Sequence, residues 1–480
     1  AQTVDRQTRL QPALLHVFSA GNSGTSNCGF LTGWGNITGG NKSGKNVLAV
    51  GAVDRNDQLA GFSSRGPATD GRVKPDICAV GVDVNSTLSN NTYGNNSGTS
   101  MACPGMSGTA AALYHLWRAR HGGADPSAAL IKATVLGTAD DLGNPGPDFE
   151  FGFGRLNARR AALALEGEHF FVDSVEQGDV RTFSLAVPAG TQQVRLLTHW
   201  TDYEGSVLAG RALVNDLDAL LITPLGDTLR PWVLDPRPNL ITIDQPAVRG
   251  RDSLNNAELI TLDAPAAGTY SVVVRGHGVA QGPQGFVVVW ELLRDSVVVT
   301  YPLGGESFAP ADAEIIRWDA VGTTGTFEVE VSADAGTTWQ AIGSNIAGAA
   351  RQFAWAPQAN RNGQLLTVRV RRGATEGRSG TFSVQGPPTN LRVTRVCPDS
   401  TTLEWNPVTG AVRYDVYRLG ATRMDSVGFS TQPRFVVGGT VPGADEWLSV
   451  RAVRANGARS LRAIAIRRGP GLANCALAQD

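Results

Sequence analysis

Ser100 lies in NNSGTSMACPGMSG, residues 95–108, after a glycine and a threonine and before a run rich in Ala and Leu. A serine hydroxyl is a weak nucleophile. It needs a base to take its proton and donors to stabilise the oxyanion that forms on attack. A helix that begins at the serine points its free amides and the positive end of its dipole at that centre. GTSMA ahead of a helical run meets these needs, although taken alone it reads equally well as an N-cap. VFSAGNSG, residues 17–24, is a short apolar strand that opens into the glycine-flanked Asn22. Such an asparagine can project its amide into a cleft as an oxyanion donor, or it can be an ordinary turn residue. FSSRGPATDGRVKPDICAVG, residues 62–81, adds a tight turn, a Pro-Asp strand and a second turn.

The base is harder to find. The chain has six histidines. His16 falls inside a strand, on the wall rather than in the cleft. At 1.5 Å per helical residue, His115 and His121 lie roughly 20–30 Å from Ser100. His169, His199 and His277 fall in or beside β segments. All six read as surface or core histidines. Ser100 therefore lacks its base, and without a histidine only binding and oxyanion effects remain.

The order SAGNSG, FSSRGPATDGRVKPD, GTSMACP and GPDFEFGFGRLNARRA (146–161) resembles the second half of a subtilase, a subtilisin-like serine peptidase. The resemblance implies that Ser100 is the nucleophile and that Asn22 is the oxyanion side chain, acting with the Ser100 backbone N–H. It implies that Ser19, Ala20 and Gly21 line one side of the substrate pocket, with Gly98 and Thr99 completing the binding set. Pro104-Gly105-Met106 departs from the Pro-His-Val of many relatives, which bears on packing and not on chemistry. In the family, Asp and His precede the asparagine strand, and neither motif occurs in this sequence. The expectation is an N-terminal fragment of the same precursor that carries Asp and His and is bound without a covalent link.

Positioning these residues requires an α/β domain. LLHVFSA (14–20) and NVLAVGAV (46–53) are continuous apolar strands, while 131–139, 158–166 and the opening AQTVDRQTRL read as helices. That mixture predicts a parallel sheet covered on both faces. Beyond about residue 168 the helical period nearly vanishes. TYSVVVRG, GFVVVWEL, TFEVEVSAD, LLTVRVRR and RYDVYRLG are strands between Gly, Pro, Asn and Asp turns, a pattern of sandwiches or open barrels. The fold class expected is a multidomain chain: an incomplete subtilisin-like parallel sheet whose N-terminal half is absent, followed by three all-β domains. The domains are 1–166, 167–294, 295–386 and 387–480.

Residues 167–294 are similar to the C-terminal jelly-roll barrel of certain alkaline subtilases and to the P domain of kexin-like proteases. In such relatives this domain braces the catalytic one and can bind calcium. Asp216, Asp218, Asp252, Asn255 and Glu258 could supply hard oxygen ligands, or they could be solvated turn groups. Residues 295–386 resemble an immunoglobulin-like module and 387–480 fibronectin type III, with Trp318 and Trp405 as core anchors. Cys397 and Cys475 bracket the last domain and could join its ends, the alternative being two free thiols. Cys28, Cys78 and Cys103 are an odd set, and no spacing suggests zinc.

A formal net charge of −1 gives no field that favours nucleic acid or an anionic membrane. No apolar run reaches the length of a transmembrane helix. The reading is a secreted or cell-surface serine endopeptidase acting on protein or peptide substrates. The alternative is a non-enzymatic extracellular surface or assembly protein that retains a protease-like scaffold.

Overall fold

The computed structural model describes residues 1–89, 92–207, 209–440, 445–468 and 475–477. The chain divides into two compact units, Ala1–Arg294 and Asp295–Asp480.

The first unit begins with helix α1, Gln2–Leu10, followed by strand β1, Val17–Ser19. Strands β2, Leu48–Val53, and β3, Ile77–Val80, complete a parallel sheet in the order β1-β2-β3. Every residue of β2 is buried, as expected of a parallel strand covered on both faces. By contrast, LLHVFSA forms only three strand residues, all half-buried. A hairpin of β4, Val84–Leu88, and β5, Thr92–Asn96, leads into helix α2, Thr99–Arg120.

Helix α2 lies on the sheet, and two further helices pack between α2 and the β strands that follow. Helix α2 buries Ala102, Met106, Ala110 and Leu113, a spacing of four, four and three that keeps one stripe on the sheet. Helix α3, Ala128–Gly137, buries every residue but Ala129, and Ser127 caps it by accepting the Leu130 amide at 3.1 Å. A helix apolar on all sides needs partners all round. Here the sheet and the following β layer both contribute, so Leu130, Ile131, Val135 and Leu136 share one core with Val50, Ile77, Leu197, Leu259 and Val289. Helix α4, Ala158–Glu166, is capped in the same way by Asn157, which accepts the Arg160 amide at 3.0 Å.

The rest of the unit is all β. Its strands are β6 Phe170–Val175, β7 Val180–Val187, β8 Thr191–His199, β9 Asn215–Ile222, β10 Thr228–Leu229, β11 Trp232–Val233, β12 Val248–Arg249, β13 Ala257–Asp263, β14 Gly268–Val279 and β15 Gln284–Arg294. They form two four-stranded antiparallel sheets, β10-β9-β14-β7 and β13-β8-β15-β6, with β11 and β12 as a separate pair. These sheets enclose a core that includes Val175, Leu185, Leu196, Trp200, Leu217, Val272 and Val288. The region is thus a pair of four-stranded sheets that share one core.

Buried ion pairs tie the α/β part to these sheets. Lys45 has no exposed side-chain surface, and its ammonium donates to Asp202 and to the carbonyls of Tyr203 and Ala212. Beside it, Asn46 Nδ2 donates to Asp202 O at 2.8 Å and Asn46 Oδ1 accepts from Asp202 N at 3.0 Å. Arg160 pairs with both Asp140 and Glu291.

The second unit holds two β cores. One surrounds the buried Trp318 with Phe327, Val329, Val368 and Phe382. The other surrounds the buried Trp405 with Tyr414, Val416, Leu448 and Val450. Cys397 and Cys475 are joined, with an S–S distance of 2.11 Å. Cys28, Cys78 and Cys103 are free thiols. No helix among the described residues is long and apolar enough to cross a membrane.

Candidate active site

Ser100 is the second residue of α2 and is exposed. The chain enters the helix from Gly98, whose extended backbone lies against the sheet through Gly98 N–Gly81 O at 2.8 Å. Pro104 supplies no amide for the carbonyl four residues back, so the first turn leaves the Ser100 carbonyl without its helical partner.

Asn22 follows the C-terminal end of β1. Its Oδ1 accepts two hydrogen bonds from Thr99, one from the backbone N at 3.0 Å and one from Oγ1 at 2.9 Å. The Thr99 hydroxyl oxygen in turn accepts the Gly21 amide at 3.1 Å. Because Oδ1 is engaged twice, the amide orientation is fixed and Nδ2 faces the other way. Nδ2 stands 3.3 Å and the Ser100 amide nitrogen 3.7 Å from the point a Cβ on Gly98 would occupy. Two N–H donors on different elements therefore flank Gly98 beside the serine, with the Met101 sulfur 3.6 Å from the same point.

Gly21 also has a conformational reason to be glycine. Its φ is +117°, and a Cβ there would stand 2.9 Å from Ser64 Oγ and 2.7 Å from Lys42 Nζ. Ser64 Oγ accepts the Ser23 amide at 3.1 Å, which holds the strand-to-loop turn. Sequence motifs brought Ser19, Ala20, Gly21, Asn22, Gly98, Thr99 and Ser100 forward, and contacts link Gly21, Asn22, Gly98, Thr99 and Ser100 directly. Ser19 and Ala20 belong to the same segment, Ala20 fully buried with its amide on Val50 O at 2.9 Å. The motif reading missed Ser64 and Lys42, which come from elsewhere in the sequence. A lysine in a Gly-rich loop carries no signal of what it packs against.

No described side chain hydrogen-bonds the Ser100 hydroxyl, and the histidines are engaged elsewhere. His16 stacks on Phe18, His121 lies flat on Trp117, His169 stacks on Trp290, and His277 faces Asp218 at 3.4 Å. His115 is exposed on α2. His199 is fully buried on Asn256 O at 2.7 Å, and burial pulls its pKa down to about 3.

The five oxygen-bearing residues considered for calcium do not gather into a metal cluster among the described residues. Arg251 holds Asp216 and Asp218, and Arg211 also reaches Asp216. Asp252 Oδ1 accepts the amides of Leu254 and Asn255, while Asn255 Oδ1 accepts the Val73 amide at 2.8 Å. Glu258 Oε2 accepts the Ala219 amide at 2.7 Å. Glu258 Oε1 and Asp216 Oδ1 are left buried without partners. Two oxygens fall well short of the six to eight that Ca²⁺ takes, and the guanidinium groups already bring positive charge to the spot. Burial, with Asp252 nearby, raises the Glu258 pKa well above its ordinary value and favours the neutral acid.

The comparisons bear on the same stretch. Residues 1–154 match the subtilase family model. The chain is 38% identical over 117 residues to a thermophilic serine proteinase of Bacillus sp. (strain AK1), covering 24% of this chain and 25% of that protein. It is 36% identical over 146 residues to subtilisin DY of Bacillus licheniformis, covering 30% and 46%. The solved self-cleaved protease domain of PatA aligns at 26% identity over 35% of this chain and 55% of that one, with a TM-score of 0.28. The match to the subtilase family model is thus confined to residues 1–154, the stretch that holds Asn22 and Ser100. The chain spans less than half the length of the two curated relatives.

Proposed function

We propose that residues 1–166 are the nucleophile-bearing part of a subtilisin-like serine endopeptidase. The carrying observation is that Asn22 Nδ2 and the Ser100 amide flank Gly98 from two different elements, beside the serine. A peptide carbonyl oxygen brought up to Gly98 within reach of both donors would be stabilised as charge develops on it. Ser100 Oγ attacks the carbonyl carbon, its proton passes to a histidine, and the oxyanion forms against the two N–H groups. On collapse the same proton goes to the leaving amine, and water then releases the acyl group by the reverse route.

In this reading the histidine and its aspartate come from polypeptide outside residues 1–480, paired along β1. Support comes from the strand itself. The Ala20 N–Val50 O and Leu48 N–His16 O bonds turn residues 16, 18 and 20 toward β2, so the amides of Val17 and Ser19 face away from it. No described strand pairs with that edge. Protein or peptide is the substrate, the enzyme acts outside the cell, and no step passes through calcium.

The second reading, a non-enzymatic surface or assembly protein, draws on the lack of any described histidine on Ser100. An alkyl fluorophosphonate separates the two. Labelling at Ser100 in the native protein, lost in Ser100→Ala, is the expected result. Absence of labelling in a preparation that contains the His- and Asp-bearing polypeptide would decide for the second reading.

A further inference from the structure

Asn22 is exposed, and among the described residues nothing hydrogen-bonds its backbone N–H or carbonyl. Its side chain is tied to Thr99 through Oδ1 alone. An exposed loop residue held by one side-chain atom can still swing. A donor that swings is worth little, because an oxyanion site works only when it is set before charge develops. The backbone that carries the Asn22 amide therefore has to be fixed by its neighbours.

Ser64 fixes it from both sides. Its backbone N–H donates to Gly21 O at 2.9 Å, and its hydroxyl oxygen accepts the Ser23 amide at 3.1 Å. One wholly buried residue thus grips the residues before and after Asn22. Two glycines bring the segments this close. A Cβ on Gly21 would stand 2.9 Å from Ser64 Oγ, and one on Gly24 would stand 2.3 Å from Ser63 O. Gly24 N also donates to Phe62 O at 2.9 Å, so residues 21–24 lie along residues 62–64.

The gripping segment is itself anchored. Ser63 Oγ accepts the Ala52 amide of β2 at 3.0 Å. Arg65 N donates to Asn36 Oδ1 at 2.7 Å, and Gly66 N to Phe149 O at 2.8 Å. Ser64 therefore relates a loop at the rim of the sheet to its buried interior. Ser63 is the natural contrast. It is the same residue type and equally buried, but its hydroxyl serves β2.

We propose that Ser64 is a positioning residue for the reaction, holding the Asn22 amide at the oxyanion through the backbone on either side of it. This rests on the peptidase reading above. Neither of its hydrogen bonds involves substrate, so loss of the hydroxyl lowers kcat and leaves KM in place.

The test is a double-mutant cycle in the assembly whose Ser100 takes the fluorophosphonate label. Rates are counted per labelled serine, so unfolded protein drops out. Ser64→Ala is expected to lower kcat about tenfold, short of the about 10²–10³ for losing the donor outright, with KM within about twofold of wild type. In an Asn22→Ala background the same substitution should change kcat by less than about twofold, because no amide is left to aim. Ser63→Ala should change kcat by less than about twofold in either background. Should Ser64→Ala fail to fold, Ser64→Cys, with a weaker acceptor, should show the same dependence on Asn22. An unchanged kcat, equal losses with and without Asn22, or a Ser63→Ala loss as large as that of Ser64→Ala overturns the proposal and leaves the peptidase reading intact. Amide exchange needs no turnover: the Ser23 amide should exchange at least about tenfold faster in Ser64→Ala, and an unchanged rate also overturns the proposal. A wild-type assembly whose Ser100 takes no label overturns the peptidase reading, and this one with it.

Discussion

The β3 edge and the β1 edge of one three-stranded sheet are finished by different means. Beyond β3, residues 153–156 lie against the strand. Cys78 N donates to Gly154 O at 2.9 Å, Leu156 N to Cys78 O at 2.8 Å, and Phe153 N to Asp76 O at 3.0 Å. The Asp76 carboxylate at its start accepts the Ala49 amide at 2.7 Å, Lys132 Nζ at 3.0 Å and the Lys74 ammonium. At β1 the outward amides find no described strand, His16 Nε2 is buried without a partner, and a groove runs between residues 13–18 and the Ser107–Tyr114 face of α2. One edge spends three buried charges on closure. The other leaves ladder groups and apolar surface to be covered, an arrangement that invites pairing. The proposed site lies at the C-terminal end of the open edge, so the proposed chemistry and the unpaired strand share one side of the sheet.

The largest expected effect breaks the closed edge. Asp76→Ala leaves Lys74 and Lys132 buried without their shared counter-charge and should cost about 3–5 kcal/mol. Urea unfolding followed by tryptophan fluorescence would read it, and a loss under 1 kcal/mol would mean that the lysines carry no charge there.

At the other edge, Asn22→Ala in the complemented enzyme should lower kcat by about 10²–10³, roughly 2.7–4 kcal/mol of barrier. Steady-state kinetics on any cleaved peptide checks this, and an unaltered kcat removes Asn22 from the oxyanion site.

A smaller effect is pH-dependent and again belongs to the closed side. His199 is buried near Lys132, Asp76 and Lys74, and its pKa is pulled from an ordinary 6.5 to about 3. Above pH 6.5 it is neutral both folded and unfolded. Between 6.5 and 3 only the unfolded chain takes the proton, so this group makes stability fall as pH falls, by up to about 1.4 kcal/mol per pH unit. His199→Gln should flatten that part of the profile, and parallel wild-type and variant profiles from pH 7 to 4 would refute the assignment.

Amide exchange sharpens the comparison without changing stability. Val17 and Ser19 should exchange at least about a hundredfold faster than Val50 in the isolated chain, and slowing of both on adding a His- and Asp-bearing polypeptide would support the proposed pairing. Smallest of all, calcium or a chelator should move the melting temperature of the first unit by less than about 1 °C, since the carboxylates near Glu258 already face Arg251 and Arg211. A larger rise with calcium would show that Asp216 and Glu258 recruit further oxygens.

Much of the α/β part could be read from residue order. The fully apolar β2, the helix after Ser100, and the caps at Ser127 and Asn157 all follow from local pattern. Asn22 and Ser100 stood out for the same reason, because glycines and small residues at fixed positions are needed wherever backbone and substrate come close. The carboxylates at 216, 218, 252 and 258 show the limit. Their types fit a cation, yet nothing in their spacing says that Arg251 folds across them. Lys42 is a similar case, an ordinary loop lysine until Gly39 and Gly40 turn it back onto Gly21.

The sequence by itself determined which backbone segments could be strand, helix or turn, and which serine and asparagine could serve one carbonyl, because those constraints act over a few neighbouring residues. Only the tertiary structure decided which charges are neutralised. A charge's energy depends on distance and burial rather than on chain position, so three lysines that found aspartates and one that did not look alike until the chain is folded.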